Sequence, residues 1–352
     1  MEALSDLLKS SPELFPFGLD AVNDTVSFIR LSRGDYEHAS FLDARILTPQ
    51  TERRIIPWPQ VADAVEAAGL VERCAFIFHI GHVGSTLMSR LIGAQAGAFA
   101  LREPLILRAF TQLRSEPPPQ PRAWAGGDFE ARLGGCLKLL SRTFEAHEIA
   151  VIKATSFVSE LADELLARPS SAKALMMYVS PESYLATILG GPNSRQEAQR
   201  LAPERLRRLQ RRLGSDAWHP GDLSEGETLA LAWACEICAL GEAAGRSGER
   251  VLWVDFDVFL ADPGPGLLAA LRHLEIGASA AEVAAILRGP LMGRYSKAPE
   301  HAYDAALRHE VLNEARALHG AEISRGLAWL NQAAMAFPSV HAAMRLIGVN
   351  PA

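Results

Sequence analysis

Hydrophobic patterning changes near residue 70. Upstream, VSFIRL (26–31) and ASFLDARIL (39–47) flank SRGDYEH, which carries a turn signal, and together they predict a β-hairpin. Residues 57–68 then predict a short amphipathic helix. Downstream, short continuous apolar runs alternate with helical spacing. AFIFHI (75–80), AFALREP (98–104), EIAVIKA (148–154), KALMMYV (173–179) and ERVLWVDFD (249–257) predict buried strands. Leu87, Leu91 and Ile92 fall at helical spacing, and further helices are expected over 129–146 and 157–167. The Pro-rich stretch 115–128 reads as a surface loop, and the chain beyond 262 is mostly helical. Strands separated by helices build βαβ units with helices on both faces of a parallel sheet. The expected fold is therefore three-layer α/β, with a parallel sheet of about five strands, a helical C-terminal part and a small N-terminal β-hairpin element. The division predicted is an appendage over 1–70, an α/β core over 71–262 and a helical part over 263–352 packing on that core.

The 194–214 segment carries arginines at 195, 200, 205, 207, 208, 211 and 212, with Leu206, Leu209 and Leu213 as an apolar stripe. A solvated charged face is the expectation, and a lid over an anionic ligand the alternative.

Length and composition bound the rest. A chain of 352 residues holds about two domains, or one large α/β domain with additions. Hydrophobic residues at 49% and charged residues at 22% exclude disorder as the main state. No stretch approaches the ~20 uninterrupted apolar residues of a membrane span, and MEALSDLLKSSPELF does not read as a secretory signal. A net charge of -6 argues against a protein that coats nucleic acid. Four cysteines do not make a disulfide scaffold, and a reducing cytoplasm is the expected compartment. Cys235 and Cys238 form a CxxC inside an apolar helical run without two further ligands nearby, so they read as core residues rather than a zinc site. Five lysines against 30 arginines, with abundant alanine, suggest a GC-rich bacterial genome and single out each lysine.

The chemistry starts at Gly81-His82-Val83-Gly84-Ser85-Thr86. A buried strand that ends in a glycine loop and opens a helix gathers backbone N–H groups around an anion. Gly81 and Gly84 permit close approach, and the Ser85 and Thr86 hydroxyls add hydrogen bonds or simply cap the helix. The loop is not a nucleoside-triphosphatase loop, since G-x-x-x-x-G-K-[ST] requires a lysine and none is present. VLWVD (251–255) has the form of a strand and aspartate that hold magnesium, which keeps a kinase or another nucleotide-binding enzyme as the alternative.

FIFHIGHVGSTLMSRLI resembles the 5′-phosphosulfate loop of the sulfotransferases, which use 3′-phosphoadenosine 5′-phosphosulfate (PAPS). LREPLIL (101–107), AVIKATSF (150–157), SAKALMMYVSPESYLATIL (171–189), ERVLWVDFDVFLADPGPGLLAALRHLEI (249–276) and GRYSKAPE (293–300) resemble further segments of that family, in the right order. The resemblance covers roughly 74–335, in pieces, and leaves the first 70 residues unexplained. It implies a P-loop-type fold and transfer of a sulfuryl group from PAPS to a hydroxyl or amine of an unidentified acceptor, small molecule or peptide. It departs at two points: the loop's basic residue is His82, and the family's arginine for the donor 3′-phosphate aligns with Val179. Its serine partner aligns with Thr187, and Arg195 or Arg294 are the candidates to replace the missing charge. A non-catalytic protein that binds a phosphorylated ligand is the reading those departures favour.

Sulfuryl transfer needs donors around the moving anion, a cation at the leaving oxygen and a base for the acceptor proton, and no metal is strictly required. His82 is the candidate for the sulfuryl or bridging oxygens, Glu103 for the base and Lys153 for the leaving group. Glu103 and Lys153 both end predicted strands at the carboxyl edge, where ligands bind in open α/β sheets. Arg102 either contacts substrate or pairs with Glu103. Gly81, His82, Val83, Gly84, Ser85, Thr86, Thr187, Arg195, Arg294 and Lys297 form the expected PAPS site. Tyr295 offers a surface for a base. His79 reads as a satisfied core histidine, and Lys173, Asp255 and Asp257 as structural.

Overall fold

The computed structural model describes residues 3–115, 126–168, 170, 172–219, 221–298 and 300–349. Three short strands come first. β1 (Leu14–Asp20), β2 (Thr25–Arg30) and β3 (Arg53–Pro57) form an antiparallel sheet in that order. β2 is one arm of the expected hairpin, but 39–47 is not the other. Ser32 converts the supposed turn into a helix start: its hydroxyl accepts the Asp35 N–H (3.2 Å) and the Asp35 carboxylate accepts the Ser32 N–H (2.8 Å). This capping box opens the helix Arg33–His38. The partner that precedes β2 is β1, which contains Pro16 and Gly18, and the ladder absorbs both at a register shift.

The main sheet is parallel, with β4 (Cys74–His79), β5 (Ala98–Arg102), β6 (Ile149–Lys153), β7 (Ala174–Tyr178) and β8 (Val251–Asp255) in the order β5-β6-β4-β7-β8. All five apolar runs are strands. Every residue of β4 is buried, as a strand covered on both faces requires. From β4 the chain moves outward to β5 on one side and later to β7 on the other. The winding therefore reverses at the carboxyl end of β4.

Helices fill the connections. The helix expected over 129–146 runs over Gly126–Leu140, and that over 157–167 splits into a 3-10 segment, Ser156–Leu161, and a short helix, Ala162–Leu166. The expected surface loop at 115–128 falls largely on 116–125, outside the described residues; Gly126 already begins a helix. The segment after 262 is mostly helical, as expected.

Glu225–Ser247 is the central helix. Ser224 and Glu227 cap it reciprocally. By length and apolar content Glu225–Arg250 could cross a membrane, but 78% of its most apolar window is buried inside the protein. Cys235 and Cys238 are free, buried residues of this helix, and burial pushes both thiols up to about 12. Gly226 allows the helix Ala305–Ala336 to cross in backbone contact, since a Cβ there would lie 1.9 Å from the Glu322 carbonyl oxygen.

The arginine helix spans Pro192–Leu213, and its face is not simply solvated. Arg205 and Arg208 are buried and converge on Glu236 of the central helix, at 3.1 Å and 3.0 Å. Arg208 and Arg212 share Glu160 (2.9 Å each), and Arg212 also reaches Glu242 (2.5 Å). The missed partners lie on elements distant in sequence.

The N-terminal part lies along edge strand β5. The Leu42 N–H donates to the Arg102 carbonyl (2.6 Å), and the Arg102 guanidinium grips the carbonyls of Tyr36, Glu37 and Ala39. Arg102 therefore spends its guanidinium on backbone carbonyls and makes no ion pair with Glu103 among the described residues. Its buried side chain satisfies the carbonyl end of the Arg33–His38 helix.

Candidate functional site

The loop after β4 is left-handed at Gly81 (φ 89°), His82 (φ 55°) and Gly84 (φ 66°). Gly84 is required twice, because a Cβ would also meet the Phe256 ring at 2.0 Å. Val83 is buried and anchors the loop. The helix Ser85–Gly93 starts without a side-chain cap. Met88 donates to the Gly84 carbonyl (3.0 Å), so the N–H groups of Ser85, Thr86 and Leu87 precede the helical ladder. Thr86 Oγ1 is buried with no hydrogen-bond partner among the described residues. The combination suits an anion at a helix N-terminus.

Two cavities meet here. The first, about 400 Å³, lies between the loop and the 292–311 segment; the second, about 580 Å³, extends toward Arg108, Phe157 and Tyr184. His79, His82, Glu103, Ser194, Tyr295 and Lys297 border both. The shared wall thus joins the strand ends at His79 and Glu103 to the loop, the Pro192–Leu213 helix and the 292–311 segment.

Glu103 leaves β5 with φ 55°, a left-handed conformation costly for a residue with a side chain. Its N–H donates to the Lys153 carbonyl (2.6 Å), extending the β5–β6 ladder by one bond. That bond turns the carboxylate onto the Lys153 ammonium, with which it forms an ion pair. Lys153 is fully buried at the end of β6 and borders the first cavity only. Burial lowers its pKa, and Glu103 opposes that shift. The two residues chosen from separate strands are therefore direct partners.

His79 is not the satisfied core residue expected. Its Nδ1 accepts the Gly81 N–H (3.0 Å), which places the proton of the neutral ring on Nε2. Nε2 is buried without a hydrogen-bond partner among the described residues and lies 3.9 Å from Glu103 Oε1. Burial, then Lys153, pushes its pKa well below the usual range. The result is a neutral N–H donor on the shared wall.

His82 lies with Nδ1 3.4 Å from Ser194 Oγ and Nε2 3.8 Å from Glu197. Burial, then Lys297 and Arg205, pushes its pKa down to about 3. The loop's expected cation is neutral. Lys297 supplies positive charge instead: it borders both cavities, and its charge acts on His79, His82 and Lys153 alike. It makes no ion pair with a carboxylate among the described residues.

The structure brings the remaining candidates together unevenly. Val83, Gly84, Ser85, Thr86, Thr187 and Arg294 border the first cavity, and Gly81 borders the second. The Thr187 hydroxyl donates to the Ser183 carbonyl within its own helix (2.7 Å). Arg195 borders neither and is clamped by Glu225 at 2.9 Å and 2.5 Å. Val179 is buried, and its carbonyl accepts the Trp233 indole N–H (3.1 Å). Asp255 caps a helix, accepting the Asp257 N–H at 2.8 Å, while Asp257 pairs with Arg308 at 2.7 Å. Lys173 pairs with Glu275 (2.8 Å).

Sequence reasoning missed Phe256, Tyr303 and Arg308, which border the first cavity, and Thr155 and Tyr184, which border the second. The Arg308 guanidinium lies 5.1 Å from the Phe256 ring centroid, and Tyr295 and Tyr303 meet edge-on at 5.5 Å. No spacing in the chain announces these neighbours; only the fold assembles them.

No family model matches the chain, and no curated protein matches it. Solved structures do. A sulfotransferase domain from the curacin biosynthetic pathway is 12% identical and matches 71% of this chain and 98% of its own, with a TM-score of 0.43. A sulfotransferase from Mycobacterium tuberculosis H37Rv is 14% identical over 74% of this chain and 78% of its own, with a TM-score of 0.40. One from Mycobacterium avium is 13% identical over 74% and 79%, with a TM-score of 0.38. Likeness at this level leaves the chemistry to the residues of the site.

Proposed function

We propose that the protein transfers a sulfuryl group from PAPS to an acceptor hydroxyl. The observation that carries this reading is the Glu103–Lys153 pair on the wall between two cavities, beside an uncapped helix N-terminus. A carboxylate and an ammonium beside two adjoining cavities suit a base and a charge stabiliser acting between two substrates.

The first cavity fits the donor. Its unpartnered Thr86 hydroxyl, the leading N–H groups of the Ser85–Gly93 helix, His79 Nε2 and Lys297 suit a phosphosulfate. Phe256, Tyr295 and Tyr303 offer apolar surface for a base, and Arg294 offers charge for a further phosphate, with Arg308, itself held by Asp257, on the same cavity. When bound, PAPS supplies a sulfuryl group on an activated phosphate. Glu103, bordering both cavities, takes the acceptor proton. Lys153, facing the first cavity only, steadies charge that develops on the donor side, and that charge strengthens as its partner Glu103 is neutralised. Nucleoside triphosphate chemistry is less well supported, because the loop holds no lysine and Asp255 spends its carboxylate on a helix cap.

The test is PAP formation from PAPS with 2-naphthol and 4-hydroxyphenylacetate as acceptors. Wild-type protein should form PAP, and Glu103→Gln should lose about 10²–10⁴-fold in rate with unchanged PAP affinity. A Glu103→Gln protein as active as wild type would remove the carboxylate from the mechanism.

A further inference from the structure

The second cavity has a charge pattern that sulfuryl transfer does not require. Arg45 is held by Asp43, and Arg205 donates to Glu236 (3.1 Å), so both are matched by acids. Glu103 is matched by Lys153. Three cations bordering the cavity have no carboxylate partner among the described residues: Lys297, which also borders the first cavity, the exposed Arg200, and Arg108; Glu197 adds an acid beside His82. Arg108 is only half-buried and rests its guanidinium 5.3 Å from the Phe157 ring centroid. It makes no hydrogen bond or ion pair with a carboxylate among the described residues; Asp43, on which its charge acts, is already gripped by Arg45. Two deeper polar groups on the same cavity also lack hydrogen-bond partners among the described residues: the Tyr184 hydroxyl, on a residue 1% exposed, and Thr155 Oγ1. Buried hydroxyls without partners are costly, and a ligand that pairs with them relieves that cost.

We infer that the acceptor carries a carboxylate, which the Arg108 fork binds while the reacting hydroxyl sits at Glu103. This rests on the sulfuryl-transfer reading for the role of Glu103, but the anionic preference is a property of the cavity itself. A planar guanidinium with unspent donors fits a carboxylate two oxygens at a time, whereas an amide or ester offers one acceptor and no charge. Phe157 holds the fork from below, so little side-chain entropy is lost when the acid binds. Tyr184 and Thr155 supply hydroxyls for the rest of a polar ligand. The substrate class is therefore a small hydroxylated carboxylic acid, in which transfer adds a second anionic group at the far end from the first.

The test is calorimetric titration of 4-hydroxyphenylacetate and of 4-hydroxyphenylacetamide into the full-length protein saturated with PAP. Wild type should bind the acid about ten- to a hundredfold more tightly than the amide. Arg108→Ala should reduce that ratio to near one, and Arg108→Lys, which keeps the charge but not the fork, should fall between. PAP affinity, measured first in each variant, should not change and reports folding. Equal binding of acid and amide, no binding of either, or a ratio that survives Arg108→Ala would overturn the inference while leaving sulfuryl transfer in place. Failure of PAP to bind wild type would count against the donor reading itself.

Discussion

Glu103 and His82 both hold left-handed backbones that only four non-glycine residues among those described adopt. The strain, of order 1–3 kcal/mol each, persists because the surrounding ladder and loop fix them, as at many reactive sites. The place of both at the end of a buried strand was legible in the sequence. Their state was not. His82 stands where a cation was expected, yet burial and the nearby Lys297 and Arg205 charges keep it neutral down to about pH 3. Lys297 could not be placed by spacing, because it arrives from the far end of the chain. The His82 shift has a definite sign. Unfolded His82 takes up a proton near pH 6.5 and folded His82 only near 3, so its contribution to stability falls as pH drops through that window. A bound anion favours the protonated ring and raises its pKa. PAP affinity measured from pH 8 to pH 5.5 should therefore tighten as pH falls, and the slope should shrink in His82→Asn. An identical slope in the variant would assign the proton uptake to another group.

At the scale of elements, the strands were readable and the arginine helix was not. Five apolar runs bounded by glycine or charge became the five parallel strands, because a strand buried on both faces has to be apolar throughout. The Pro192–Leu213 helix has an outwardly charged pattern, but the acids that bury Arg205 and Arg208 lie on the Glu225–Ser247 helix and the Ser156–Leu161 segment. Amphipathic spacing within one helix carries no information about partners on another. Glu236 is fully buried, and its pKa is lowered by Arg208 and Arg205 against the opposing effect of burial. Replacing it leaves two buried guanidinium groups without their shared carboxylate. Glu236→Ala should therefore destabilise the protein by about 3–5 kcal/mol, seen as a large fall in Tm or denaturation midpoint. A change below about 1 kcal/mol would mean that water or neighbouring acids replace the pair.

On the scale of the molecule, the sheet winds both ways from β4, and the site sits where it reverses. That much follows from five strands and a glycine loop. The antiparallel sheet at the N-terminus was only half legible, since β1, with Pro16 and Gly18 within it, was not read as a strand and the Ser32 cap imitated a turn. The cavities were not legible, because their walls join β4, β5 and β6 to residues of the C-terminal third, including Phe256, Lys297 and Arg308. The first cavity is the proposed donor-nucleotide site, with Lys297 as the cation the loop lacks. Calorimetric titration of PAP, and separately of ATP with magnesium, into wild type and Lys297→Ala tests it most directly. A lost charge-assisted contact is worth about 1.5–3 kcal/mol, so Lys297→Ala should bind PAP about ten- to a hundredfold more weakly than wild type, and wild type should prefer PAP to ATP. Tighter binding of ATP, or PAP affinity indifferent to Lys297, would contradict the account.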